Sequence, residues 1–160
     1  ILNTPPENVP QNVRQLLDRN RELEKALADA RRQAATDSVR DLLDQAVEID
    51  GLRLISARVD VDDVASLRTT ADGLRERLGS GVAVLGGQVQ GKVSFIVVVT
   101  DDLIKERALK AGDLVKGVAQ LAGGSGGGKP HMAQAGGKDP ALIDGALAAA
   151  PDILRQLLGS

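Results

Sequence analysis

The segment best equipped for chemistry runs from Gly123 to Gly137 (GGSGGGKPHMAQAGG), where seven of fifteen residues are glycine and the core holds Lys129, Pro130, His131 and Gln134. Glycines open the backbone to positive φ and to close approach by another chain. Successive N–H groups in such a stretch can form an anion-binding concavity, and Lys129, held by Pro130, adds a full positive charge. Gly123, Gly124, Gly126, Gly127 and Gly128 are the candidate backbone donors, with Ser125 as spacer or further donor. The chemistry so assembled is phosphate gripping. It is not a Walker loop, because no Lys-Ser/Thr follows at the required spacing, and it fits the dinucleotide fingerprint poorly because it is expected after a helix. A plain linker would share the glycine content. Here, however, the glycines form two blocks and join two elements of one small domain, where long loops are uncommon and usually functional.

The other reactive residue types do not assemble into a catalytic centre. His131 is the only histidine and there is no cysteine, so neither a metal cluster nor thiol catalysis is expected. As a general base His131 has no nucleophile at a recognisable spacing; it reads as an RNA contact or as plain surface. Ser125 lacks the base, the orienting acid and the strand-to-helix elbow of a nucleophile. Gln134 reads as a contact to a sugar hydroxyl or base edge, or as a bond to the segment's own backbone. Met132 reads as core, and the adjacent Asp101 and Asp102 as helix caps. No catalytic residue, metal or cofactor is expected in this chain.

Charge and aromatic content narrow the partner. The formal net charge of −2 gives no global attraction to nucleic acid. Yet residues 105–138 hold six bases against two acids, whereas residues 1–50 hold seven against ten. Lys92, Lys105, Arg107, Lys110 and Lys138 are therefore candidate phosphate contacts beside Lys129. Phe95 is the only aromatic residue, so a base-stacking platform is excluded. Any nucleic acid would be read through phosphates, sugars and shape. The longest apolar run, Phe95–Val99, is far short of the ~20 residues that span a bilayer. The opening ILNTPPENVP has neither the basic region nor the apolar block of a signal peptide. The absence of cysteine suits a cytoplasmic location, and the start on Ile1 reads as a segment of a longer chain.

The elements that must position these residues follow from periodicity. Residues 1–10, with three prolines, read as a linker. Val13, Leu16, Asn20, Leu23, Leu27, Ala30 and Ala34 alternate steps of three and four, a coiled-coil-like seam with a polar residue at Asn20. Helices are expected at about 11–35 and 37–49, the second capped by Thr36 or Ser38 and stopped by Gly51. This helical arm, 1–50, precedes a globular domain at 51–160. There, strands are expected at 52–59, 82–85 and 92–100, the last two separated by the turn GGQVQG. Asp62 or Asp63 caps a helix burying Val64, Leu67, Ala71, Leu74 and Leu78. A further helix from Gly112 or Asp113 to Leu121 turns Leu114, Val115, Val118 and Leu121 inward. Met132–Ala135 is a possible extra strand. Asp139-Pro140 opens a last helical region interrupted near Pro151. The fold class is α/β (α+β): a small mixed sheet packed with helices, preceded by a long helical arm.

The glycine-rich segment resembles the signature near the C-terminus of bacterial-type alanyl-tRNA synthetases, in the domain shared with DHH-associated phosphoesterases. Lys129-Pro130 and Ala133-Gln134 occupy the family's basic-Pro and Ala-Gln places. Gly91-Lys92-Val93, Lys110-Ala111-Gly112 and the preceding helical arm also agree, so the resemblance covers essentially the whole chain. His131 departs from it, standing where an acidic residue is common. The resemblance implies a non-catalytic, tRNA-binding C-terminal domain of an alanine–tRNA ligase. Its partners would be tRNA (tRNA-Ala), contacted at the outer corner where the D and T loops meet, and the rest of the synthetase chain. It would help couple aminoacylation to editing, and the arm would support a homo-oligomer. Two alternatives are the substrate-binding half of a DHH-type phosphoesterase, whose Asp/His metal cluster would lie upstream, and a module serving mainly in oligomerisation.

Overall fold

The computed structural model describes residues 9–159. Contacts divide the chain between Ala35 and Thr36. Helix α1 (Val9–Asp44) is continuous over 36 residues, so the expected break near Thr36 is absent. Neither Gly nor Pro interrupts residues 33–44, and a lone Thr or Ser does not stop a helix whose neighbours favour it. Of the expected linker 1–10, residues 1–8 lie outside the described part, and Val9 and Pro10 open α1. In the first unit the seam residues Val13, Leu16, Leu23 and Leu27 are solvent-exposed. In the second, Val39 and Leu42, on the last turns of α1, are buried.

Residues expected at the end of a second helix form instead strand β1 (Val47–Ile49), antiparallel to β2 (Leu52–Arg58). The turn between them is Asp50-Gly51, with φ of 50° and 81°. Positive φ at both central residues is what a two-residue hairpin needs, and Asp-Gly is its strongest sequence signal. Gly51 thus turns a hairpin; it does not stop a helix. α2 (Val64–Leu78) follows, capped by the Asp63 carboxylate, which accepts from Ser66 N at 2.7 Å. Leu67, Ala71, Leu74 and Leu78 are buried as their spacing predicts, while Val64 is half-buried.

β3 (Gly81–Val89) runs parallel to β2 and antiparallel to β4 (Lys92–Val99). Gly86 to Val89, expected in a turn, continue β3, and the turn is Gln90-Gly91 alone. The glycine at 86 has a packing reason. It faces Phe95 across the strands, and a Cβ there would lie 2.8 Å from the ring's Cε1. α3 (Asp101–Arg107) and α4 (Ala111–Leu121) come next, the latter starting a residue earlier than expected, without a side-chain cap. At its end Leu121 is 49% exposed, not inward, and Ala122 takes the buried place. β5 (Ser125–Gly128) and β6 (Met132–Gly137) form a hairpin, followed by a 3-10 turn at Pro140–Leu142 capped by Asp139. α5 (Ile143–Ala148) and α6 (Ala150–Gly159) close the chain, with Pro151 in the first turn of α6.

The sheet is six-stranded, in the order β1-β2-β3-β4-β6-β5. Leu54, Val82, Val84, Phe95 and Val97 face one core with residues of α3 to α6; Ile55, Ala83, Leu85, Ile96 and Val98 face a second with α2 and Val39 and Leu42 of α1. β4 is buried on both faces, as its unbroken apolar run demands. β6 continues the alternation: Ala133 and Ala135 enter the first core, which leaves Met132, Gln134 and Gly136 on the α2 face.

Candidate functional site

The glycine-rich segment is a β-hairpin of the sheet, not an irregular loop. Its first glycines complete the preceding helix. Gly123, at φ 68°, donates to Gln120 O at 3.1 Å, and Gly124 donates to Ala119 O at 2.8 Å. This is the Schellman arrangement, in which a left-handed residue satisfies the last carbonyls of a helix. The N–H groups of Gly123 and Gly124 are therefore consumed by α4, which corrects their reading as anion donors. The next glycines let β5 close on β6. A Cβ at Gly124 would collide with Gly136 O and one at Gly126 with Ala135 Cα, while at Gly128 it would lie 2.7 Å from Ala133 Cα. Gly127 alone of these has room, with Lys116 Cε at 4.0 Å. β5 is an edge strand, so alternate N–H and C=O groups along Ser125–Gly128 face outward.

The hairpin turn explains Lys129-Pro130. Lys129 O accepts from Met132 N at 3.2 Å, closing a four-residue turn with Pro130 in its second place, where a fixed φ near −65° is favourable. Pro130 O accepts from Ala111 N at 2.8 Å, and His131 O accepts from Val99 N at 3.0 Å. These bonds set the turn beside the start of α4 and the end of β4, and so bring the backbones of Lys110 and Lys129 together. Lys105 and Arg107 occupy the last turn of α3, at the same end of the sheet, where they offset the helix's carbonyl end.

Lys92 and Lys138 are elsewhere. The pairing Val93↔Gly137 puts them at the opposite end of β6, and Lys138 Cβ lies 3.8 Å from where a Cβ at Gly123 would be. The six residues of β6 span about 17 Å, so the basic residues chosen from sequence form two groups. Lys92, Lys105, Arg107, Lys110, Lys129 and Lys138 are exposed, and among the described residues none has a carboxylate within 4.0 Å.

A shallow cavity of about 310 Å³ opens beside the turn, lined by Arg68, Gly127, Gly128, Lys129, His131, Met132, Ala133 and Gln134. Four of the residues chosen from sequence meet here with Gln134: Gly127, Gly128, Lys129 and His131. Arg68 is the residue that sequence reasoning missed. It flanks the buried stripe of α2 and donates to Gln134 Oε1 from Nε at 3.3 Å and Nη2 at 3.0 Å. Its only sequence signal was an arginine beside Leu67, which is indistinguishable from solvated helix surface. Gln134 therefore bonds a side chain of α2, not its own backbone.

Ser125 is exposed on the edge strand. Asp101 pairs with Arg75 at 3.3 Å, and Asp101 and Asp102 are not the expected caps. Thr100 holds the N-cap position of α3, without a side-chain cap bond, and the two aspartates lie in the first turn, where their charge suits the positive end of the helix. Burial raises the Asp102 pKa, but hydrogen bonds from the Ser80 and Thr100 hydroxyls and from backbone N–H groups of Leu103 and Asp102 outweigh it, and the net shift is downward. Among the described residues no three His, Asp or Glu side chains gather as metal ligands, and no helix is long and apolar enough to cross a membrane.

Comparison with known proteins fits this geometry to a family. Residues 51–156 match the DHHA1 domain. The chain is 40% identical over 154 residues to an alanine–tRNA ligase of Clostridioides difficile (strain 630), covering 96% of the chain and 17% of that relative. It is 50% identical over 139 residues to an alanine–tRNA ligase of Anaeromyxobacter dehalogenans (strain 2CP-C), covering 87% of the chain and 15% of the relative. Among solved structures, the C-Ala domain from Aquifex aeolicus alanyl-tRNA synthetase superposes with a TM-score of 0.61 at 25% identity, over 68% of this chain and 96% of that one. The chain thus spans less than a fifth of the curated relatives it matches.

Proposed function

The chain belongs to the DHHA1 domain family, and from that premise we propose that it is the tRNA-binding C-terminal module of an alanine–tRNA ligase. The observation that carries the proposal is coverage: 96% of the chain aligns with 17% of such a ligase, at 40% identity. The geometry supplies a means. The β5–β6 turn gathers Lys129, Lys110 and Arg68 around backbone that a side chain does not shield, which suits a sugar-phosphate surface, and the cavity lining holds no Phe, Tyr or Trp. The ligase chemistry belongs to the remainder of the relatives' length, and this module acts by holding tRNA. We assign it the outer corner of tRNA, where the D and T loops meet. A grip there leaves the acceptor end free for the aminoacylation and editing centres, and so helps couple them.

Binding of tRNA-Ala, followed by fluorescence anisotropy, tests the proposal. The wild-type chain is expected to bind with an affinity that falls as salt rises. A variant combining Lys129→Ala with Gly127→Val is expected to bind at least tenfold more weakly while keeping its fold, because position 127 has space for a side chain. A minihelix lacking the D and T loops is expected to bind as poorly as the variant binds intact tRNA. Equal binding by variant and wild type would count against the turn, and equal binding of minihelix and tRNA against the corner.

The exposed seam of α1 favours a second role, self-association through Val13, Leu16, Leu23 and Leu27. Sedimentation velocity on the chain with and without residues 1–35 reads this directly. A monomer in both forms ends the idea.

A further inference from the structure

The bond between Arg68 and Gln134 has a chemical consequence for what the cavity accepts. A guanidinium has five N–H donors and no acceptor, so the atom of Gln134 that faces it is the amide oxygen, as the two contacts at 3.3 and 3.0 Å to Oε1 require. The amide nitrogen is then turned the other way with both hydrogens available. Around the cavity the polar side-chain groups become donors throughout: the remaining guanidinium N–H groups of Arg68, the Gln134 amide, and the Lys129 ammonium. His131 can add one more. Apart from the acceptor nitrogen of a neutral His131 ring, no side-chain atom in that set is left to accept from a ligand.

This decides between two ways a glutamine meets RNA. Reading adenine takes both ends of the amide at once, the oxygen accepting from N6 and the nitrogen donating to N7. With Oε1 committed to Arg68 that reading is closed. A phosphodiester, whose exposed atoms only accept, meets every donor. The geometry points to Arg68 as a positioning residue that holds Gln134 as a donor and makes the cavity a phosphate subsite indifferent to the base. The assignment to RNA rests on the reading of the chain as a tRNA-binding module; the phosphate chemistry does not.

The test uses inorganic phosphate and short RNA separately, on the 160-residue chain. Phosphate titration is followed through the Gln134 side-chain amide signals in ¹H–¹⁵N spectra. Binding of rA5 and rU5 is followed by anisotropy. Gln134→Glu keeps a partner for Arg68 and nearly the same shape, but replaces two donors with an acceptor. It is expected to lower phosphate and RNA affinity at least tenfold, with an unchanged fold in the same spectra. Arg68→Met frees the amide oxygen. The wild type is expected to bind rA5 and rU5 within twofold of each other, and Arg68→Met to prefer rA5 at least fivefold, a change that loss of a merely structural contact would not produce. Undiminished phosphate binding by Gln134→Glu, base preference in the wild type, or none gained by Arg68→Met would each overturn the inference. If phosphate binds as expected while no form binds tRNA-Ala, the tRNA reading fails and the phosphate subsite stands.

Discussion

Two clusters of basic residues at opposite ends of β6 make opposite predictions for the salt dependence of RNA binding. Arg68 and Lys129 line the cavity, and Lys110 adjoins the turn through the bond between Ala111 N and Pro130 O. Lys105 and Arg107 serve the end of α3, and Lys92 and Lys138 lie about 17 Å away along the strand. Three phosphates neutralised at about 0.9 counterion each give a slope of log K against log salt near −2.7. Raising salt from about 50 to about 200 mM then weakens binding about 40-fold, and Lys129→Ala, with a slope near −1.8, should lose only about 12-fold over the same range. Lys138→Ala should leave the slope unchanged. The assay is anisotropy of labelled tRNA-Ala at five or more salt concentrations for the three proteins. A slope for Lys138→Ala as shallow as that for Lys129→Ala would show that the two ends bind together. A wild-type slope for Lys129→Ala would remove the turn from the interface. Either result refutes the reasoning.

The remaining predictions concern stability. Gly126→Ala drives a Cβ into Ala135 and should cost about 1–3 kcal/mol in urea unfolding, whereas Gly127→Ala, with open space, should stay within about 0.5 kcal/mol of wild type. Ala108 ends α3 at φ 52°, a conformation that strains a side chain, so Ala108→Gly should raise stability by up to about 1 kcal/mol; a lower melting temperature would contradict this. The folded-state pKa of Asp102 lies below its ordinary value, so its contribution is present above the unfolded pKa of about 3.9 and is lost as pH falls through the folded value. The melting-temperature gap between wild type and Asp102→Asn should therefore be constant from pH 7 to 5 and close below about pH 4; a gap that persists into acid would exclude the linkage.

The parts legible in the sequence are those fixed by local periodicity. The stripe Leu67, Ala71, Leu74, Leu78 gave α2, the cap at Asp63 gave its start, and the run Val93–Val99 gave a strand buried on both faces. Where the reading failed, a short-range signal had been assigned to the wrong element. Thr36 and Ser38 look like N-caps, but a cap is needed only where a new helix starts, and α1 runs unbroken through both positions. Asp50-Gly51 and Gly86-Gly87 show the same ambiguity in opposite directions: one pair turns a hairpin, and the other continues a strand, its glycines required by Phe95 opposite Gly86 and by Val59 O beside Gly87. Arg68 was beyond reach for a different reason. It lies 66 residues from Gln134, and only the crossing of α2 over the sheet brings them together.

The glycine-rich segment shows how a motif can mark a place without its glycines touching a ligand. Read as a loop, GGSGGG offers a row of free N–H groups. Folded, Gly123 and Gly124 spend theirs on α4, while Gly124, Gly126 and Gly128 are small because β5 lies against β6. These constraints fix the hairpin to the sheet and to α4 more firmly than a flexible loop could be fixed, and an ordered site costs less binding free energy than one ordered by its ligand. The groups left to meet a ligand are then the edge of β5, the turn at Lys129 and His131, and Gln134 as Arg68 holds it. A substitution that loosens the hairpin, such as Gly126→Ala, should lower both RNA affinity and stability. Gln134→Glu should lower RNA affinity alone, and that difference separates the scaffold from the surface it presents.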